Sequence, residues 1–150
     1  MRYLLVTAGI FIGELLIKNH VEENWPMHGS AKGAKGFLNL RRYHNHGAFL
    51  NMGSKRKILM TSVSVGLTAG LSVFYLLTLF QTGDHLLKAG LSLLLGGAFS
   101  NTYDRLHRKY VVDYFSFRTG IKALDRVVFN LADFAIMIGA LICAVCGSAE

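Results

Sequence analysis

Four apolar runs separated by polar connections set the pattern of this chain. The second is the cleanest, with no charged side chain from Ile58 to Phe80. At about 1.5 Å of rise per residue, a helix of that length crosses a bilayer core of roughly 30 Å. The pattern predicts transmembrane helices over about 3–19, 58–80, 86–103 and 127–146. Lys88 stands close enough to the start of the third for its ammonium to snorkel to the interface. The first run is preceded by Arg2 alone and followed by Lys18, Asn19 and His20, not by a small-residue cleavage site. It is read as a retained helix rather than a removable signal peptide.

The connections differ in character. His20 to Lys57 is long and glycine-bearing, Gln81 to His85 is a short turn, and Asp104 to Arg126 is again long. Four spans place both termini on one side of the membrane and the two long connections together on the other. Within the first connection, Phe37 to Met52 interleaves aromatic and apolar residues with polar ones and glycines, which predicts β structure. No internal repeat or low-complexity tract interrupts this single-domain plan over residues 1–150.

Composition sharpens the membrane reading. Charged residues make up 17% of the chain, against about a quarter in soluble domains. The net charge of +7 would suggest nucleic acid in a soluble protein; in a membrane protein it suits anionic lipid head groups. No basic run is interleaved with aromatics as base stacking requires. Cys143 and Cys146 form a C-x-x-C inside an apolar run, which reads as helix packing. His44 and His46 lack a carboxylate motif, so no metal or other cofactor is expected.

The ionisable groups inside apolar surroundings need a reason, because each costs a few kcal/mol there. Glu14 and Lys18 stand four apart, an orientation that favours an ion pair. Asn101, Asp104 and Arg105 form a polar face at the end of the third run, where Asp104 and Arg105 can pair. Asn130 and Asp133 are three apart and are predicted to share a helix face. Asp113 lies in the apolar stretch Tyr110 to Phe115. Neither Asp113 nor Asp133 has a cation within one helical turn in sequence. Two poorly solvated carboxylates can share one proton, one acting as acid and the other as base on a water between them.

These residues also carry a family pattern. Gly96 to Arg105 resembles the G-G-A-x-G-N-x-x-D-R motif of lipoprotein signal peptidases, the signal peptidase II type. Val111 to Tyr114 is similar to its V-V-D-F, Phe129 to Ile136 to its F-N-x-A-D-x-x-I, and Asn45 to Phe49 to its N-x-G-A-x-F. The motifs come in family order over essentially the whole chain. The resemblance implies a mainly α integral membrane protein, with four transmembrane helices and a small extracytoplasmic β-cradle. It implies an aspartic endopeptidase that removes the signal peptide from diacylglyceryl-modified prolipoproteins, just before the lipidated Cys. The catalytic pair then falls on Asp113 and Asp133. Substrate-binding or supporting roles fall on Glu14, Lys18, Asn45, Asn101, Asp104, Arg105 and Asn130. Two positions depart from the pattern: Glu14 stands where the family has Asp, and Ser100 where it has Gly.

The implied setting is the bacterial cytoplasmic membrane, crossed several times, with the site toward the extracytoplasmic face. Membrane lipids and the prolipoprotein are the expected partners, nucleic acid is not, and a monomer is expected. The cations run against this orientation. Only Arg2 and Lys88 fall on the cytoplasmic side, where the positive-inside rule expects the excess. The family orientation is kept because the cleavage site is presented outside. Two rivals stand beside the peptidase. One is a non-cleaving paralogue that binds lipopeptide. The other is a proton-coupled transporter, whose acids would line a path through the bilayer instead of clustering toward one side.

Overall fold

The computed structural model describes residues 1–27, 37–47 and 57–147. Long helices occupy the apolar runs: α1 at Arg2–Asn24, α2 at Lys57–Phe80, α3 at His85–His107 and α5 at Leu131–Gly147. A single turn, α4, forms at Lys122–Asp125. Strands β1 (Leu38–Asn45) and β2 (Val111–Phe117) pair antiparallel. The β expectation for 37–52 is met at Leu38–Asn45, and positions 48–52 lie outside the described residues. So do Ala48 and Phe49 of the matched motif.

α3 is the hub and packs against α1, α2 and α5. Small residues allow this. A Cβ on Gly97 would overlap the Ala132 carbonyl oxygen of α5, and one on Gly139 would come to 2.5 Å from that of Gly90. Hydroxyls clasp the helices where apolar packing gives no direction. Tyr75 of α2 meets Ser92 of α3 at 2.9 Å, and Thr68 meets Thr102 at 2.8 Å. The Thr7 hydroxyl of α1 donates to the Ser92 carbonyl at 3.2 Å.

The burial pattern is inverted relative to a soluble protein. Leu5 and Leu67 are each 70% exposed, whereas Lys18 and Asp104 are each 1% exposed. Arg2–Asn24 and Lys57–Phe80 are long and apolar enough to cross a membrane, while Leu131–Gly147 is apolar but shorter.

Two expectations are corrected, and one strand was not foreseen. The fourth helix begins at Leu131, not at 127. Residues 127–130 are not helical, and Phe129 pairs with Phe115 of β2, donating its N–H at 2.7 Å and accepting from Phe115 at 3.0 Å. Val127, Val128 and Phe129 suit an extended chain, and a continuous apolar run carries no period to mark the change. β2 itself went unread because Val111 to Phe117 is buried on both faces and shows no alternation. Lys88 does not snorkel. It is buried, and its ammonium donates to the Gln81 carbonyl just past the end of α2, at 2.5 Å.

Candidate active site

A one-residue irregularity in β1 sets up the site. Leu40 opposes Phe115 but Tyr43 opposes Asp113, so Arg41 and Arg42 together fill the place across from Tyr114. Side chains alternate along a strand, so this bulge puts Tyr43 and Asn45 on the face of Asp113. The Asn45 amide donates to Asp113 Oδ2 at 3.0 Å, while its own oxygen accepts the Gly47 N–H at 3.0 Å.

The second carboxylate is built into a helix start. Asn130 is the cap of α5, and its Oδ1 accepts the N–H of Asp133 at 2.9 Å. Asp133 Oδ2 accepts the N–H of Asn130 at 3.1 Å in return. This reciprocal pair is a capping box, and it satisfies two donors that every helix start leaves over. The prediction that Asn130 and Asp133 share a helix face is therefore corrected: Asn130 precedes the helix.

Asn130 also joins the two acids. Its Nδ2 donates to Asp113 Oδ1 at 2.7 Å, with the Asn101 Oδ1 and the Val112 carbonyl each at 3.3 Å. Asn101 donates to Asp133 Oδ1 at 2.9 Å. Asp113, Asp133, Asn45, Asn101 and Arg105 open onto one cleft of about 160 Å³. Phe129, Ile136 and Met137 give it an apolar wall. Burial, and then the neighbouring Asp133 carboxylate, push the Asp113 acid from 3.8 up to about 8. The donors Asn45 and Asn130 pull it the other way.

Glu14, Lys18 and Asp104 stand behind the cleft rather than in it. Lys18 lies 3.1 Å from Asp104 Oδ2 and 3.5 Å from Glu14 Oε2. It donates to Asn101 Oδ1 at 3.0 Å and to Ser100 Oγ at 2.8 Å. The pairing of Glu14 with Lys18 is present, but that of Asp104 with Arg105 is not. Asp104 takes Lys18, Arg108 Nε at 3.4 Å and the Val112 N–H at 3.1 Å. Arg105 instead donates to the carbonyls of Asn101 and Gly47, each at 3.1 Å.

A family model described as Signal peptidase (SPase) II matches residues 6–147. The chain belongs to the signal peptidase II family. The lipoprotein signal peptidase of Lactobacillus johnsonii is 31% identical over 140 residues, covering 93% of this chain and 87% of that protein. That of Moorella thermoacetica is 33% identical over 144 residues, covering 95% and 89%. Two solved structures of bacterial membrane enzymes share the fold, with TM-scores of 0.81 and 0.78 at 21% and 22% identity. They cover 97% of this chain, and the match spans 86% and 91% of theirs. Family membership makes this chain a protease, and its outward apolar helices accord with a membrane protein.

Sequence reasoning missed the hydroxyls around this cleft. Ser100 was noted only as a departure from the family's Gly, yet its hydroxyl accepts a hydrogen bond from Lys18. Tyr114 was passed over, yet its hydroxyl reaches Glu14. The one available signal was its place beside Asp113, where the family pattern has Phe. His44, outside the cleft, stacks on Tyr110 at 3.8 Å and meets Glu22 at 2.8 Å.

Proposed function

We propose that this chain removes the signal peptide from diacylglyceryl-modified prolipoproteins, cutting just before the lipidated Cys by an aspartic mechanism. The observation that carries the reading is the joining of Asp113 and Asp133 through Asn130 at one half-apolar cleft. Asp113 retains a proton near neutral pH, because burial and the second acid disfavour its charge. Asp133 is then the base.

Asp133 takes a proton from water as the water oxygen bonds to the scissile carbonyl carbon. Asp113 gives its proton to the carbonyl oxygen, leaving a tetrahedral diol. Asp133 then passes its proton to the leaving nitrogen, the C–N bond breaks, and Asp113 recovers a proton as the carbonyl re-forms. Asn45, Asn101 and Asn130 hold the carboxylates and need not move during these steps. Phe129, Ile136 and Met137 receive the apolar flank of the substrate. The acyl chains stay among lipids, and the substrate enters sideways from the bilayer.

The same reading makes α1, α2, α3 and α5 four membrane spans of a single domain in the bacterial cytoplasmic membrane, with the dyad toward the extracytoplasmic face. The test is cleavage of a purified diacylglyceryl-prolipoprotein in detergent without added metal, comparing wild type with Asp113→Asn and Asp133→Asn. Release of the signal peptide by wild type alone, with all three proteins folded, supports the dyad. Folded wild type that binds this substrate and never cuts it sinks the peptidase reading and leaves lipopeptide binding in its place.

A further inference from the structure

The longer acid at position 14 and the hydroxyl at position 114 meet each other. The Tyr114 hydroxyl donates to Glu14 Oε1 at 2.6 Å and accepts the N–H of Leu131 at 3.0 Å. Leu131 opens α5, so its N–H has no acceptor within its own helix. Two residues further on stands Asp133, and immediately before Tyr114 in β2 stands Asp113. One buried hydroxyl therefore ties the strand of one acid to the helix start of the other, and α1 holds it from behind. Glu14 and Tyr114 are only 3% and 5% exposed, so water does not compete for these bonds. Burial and the Glu14 charge raise the Tyr114 phenol above its ordinary value, which keeps it a donor toward Glu14. The other Glu14 oxygen faces Lys18 at 3.5 Å, so the acceptor is itself fixed.

We infer that Glu14 and Tyr114 form a positioning pair: Glu14, held by Lys18, orients the Tyr114 hydroxyl onto the Leu131 N–H and so sets the spacing of the Asp113 and Asp133 carboxylates. Neither residue lines the cleft, so the pair acts through the dyad and not on substrate. The inference rests on the peptidase reading for its kinetic consequence alone; the cap on Leu131 is tested without it. An aspartate at 14 falls short of Tyr114 by about one C–C bond, roughly 1.5 Å. A phenylalanine at 114 leaves both the Leu131 N–H and Glu14 Oε1 unmet. Either change breaks the same device, so the second should add little to the first.

The experiment is a double-mutant cycle on the full chain in detergent, with Glu14→Asp, Tyr114→Phe and the combination. Each single variant is expected to lower kcat about tenfold with KM within about twofold, and the double variant to lower it no further. Fold-changes that multiply, or losses confined to KM, overturn the pair. The second measurement is amide exchange of Leu131 by NMR in micelles. Tyr114→Phe should speed it at least about tenfold while the amides of Gly139 to Leu141 stay unchanged. An unchanged Leu131 rate in Tyr114→Phe overturns the inference even if activity falls. If wild type cleaves nothing, the peptidase reading fails separately, and the exchange rates alone decide whether the pair holds the helix start.

Discussion

Asn130 carries more of the site than any other side chain, so its removal should be felt twice. Asn130→Ala deletes the oxygen that caps Asp133 N–H at 2.9 Å and the donor to Asp113 Oδ1 at 2.7 Å. Asn130 is fully buried, so bulk water does not replace either bond. The cap contributes about 1 kcal/mol. The donor to the protonated Asp113 carboxyl contributes about 1 kcal/mol more. Loss of both should lower Tm in detergent by about 4–8 °C for a chain of this size. The donor loss also reaches chemistry, at roughly fivefold in kcat for about 1 kcal/mol.

The pH profile gives a sharper reading. The Asn130 donor holds the Asp113 acid down from the value that burial would impose. Without it Asp113 binds its proton more tightly, so the alkaline limb of activity should move above about 8, not below it. Asn130→Ser separates the two roles, because serine caps a helix well but cannot donate an amide proton to Asp113 from the same place. It should recover much of the lost Tm and little of the lost kcat. An Asn130→Ala enzyme with kcat within about twofold of wild type and an unmoved alkaline limb would refute the bridging role.

Two further outcomes follow from the buried charges. Lys18→Met leaves Glu14 and Asp104 without their shared cation in a site where Lys18 is 1% exposed, which costs about 3–5 kcal/mol. Detergent-solubilised protein should lose about 10 °C or more in Tm, and a loss under about 3 °C would show the cation to be dispensable. For wild type, the folded Asp113 acid lies near 8 and the unfolded one near 3.8, so the folded state keeps a proton that the unfolded chain loses. Stability from this group therefore falls as pH rises from about 4 to about 8 and then levels off, while activity falls above about 8 as the dyad loses its proton. Melting curves and initial rates in one buffer series check both, and an Asp113→Asn variant should lack this part of the stability slope.

The residues of the candidate site were legible in the sequence wherever a polar group broke an apolar run. Asp113, Asp133, Asn101 and Asn130 stood out for that reason, and linked motifs in order tied them to one family. Asn45 was readable only through its motif, because the bulge at Arg41 and Arg42 that turns it toward Asp113 depends on pairing with a strand far along the chain. Partners were less legible than positions. Asp104 was paired with its neighbour Arg105, but side chains on a helix meet at three and four residues' distance, and Arg108 and the distant Lys18 win. The start of α5 was misplaced because apolar residues stand on both sides of Asn130, and hydrophobicity alone does not tell the extended residues 127–130 from the helix that follows.

The three asparagines around the dyad share a logic that neither acids nor hydroxyls could supply. Each has its oxygen occupied by a donor with a fixed direction: Gly47 N–H for Asn45, the Lys18 ammonium for Asn101 and Asp133 N–H for Asn130. With the oxygen pinned, the amide nitrogen can only face the other way, and in each case a carboxylate oxygen of Asp113 or Asp133 lies there. A serine could accept and donate but would be too short to span the gap, and an aspartate would present an acceptor to an acceptor. The side chain needed is one that carries acceptor and donor on a rigid plane at a fixed separation, and asparagine is the shortest such residue. Lys18 thus acts on the dyad through Asn101 without touching either acid. The buried cation, the helix cap and the turn at Gly47 all fix the directions from which Asp113 and Asp133 receive their hydrogen bonds.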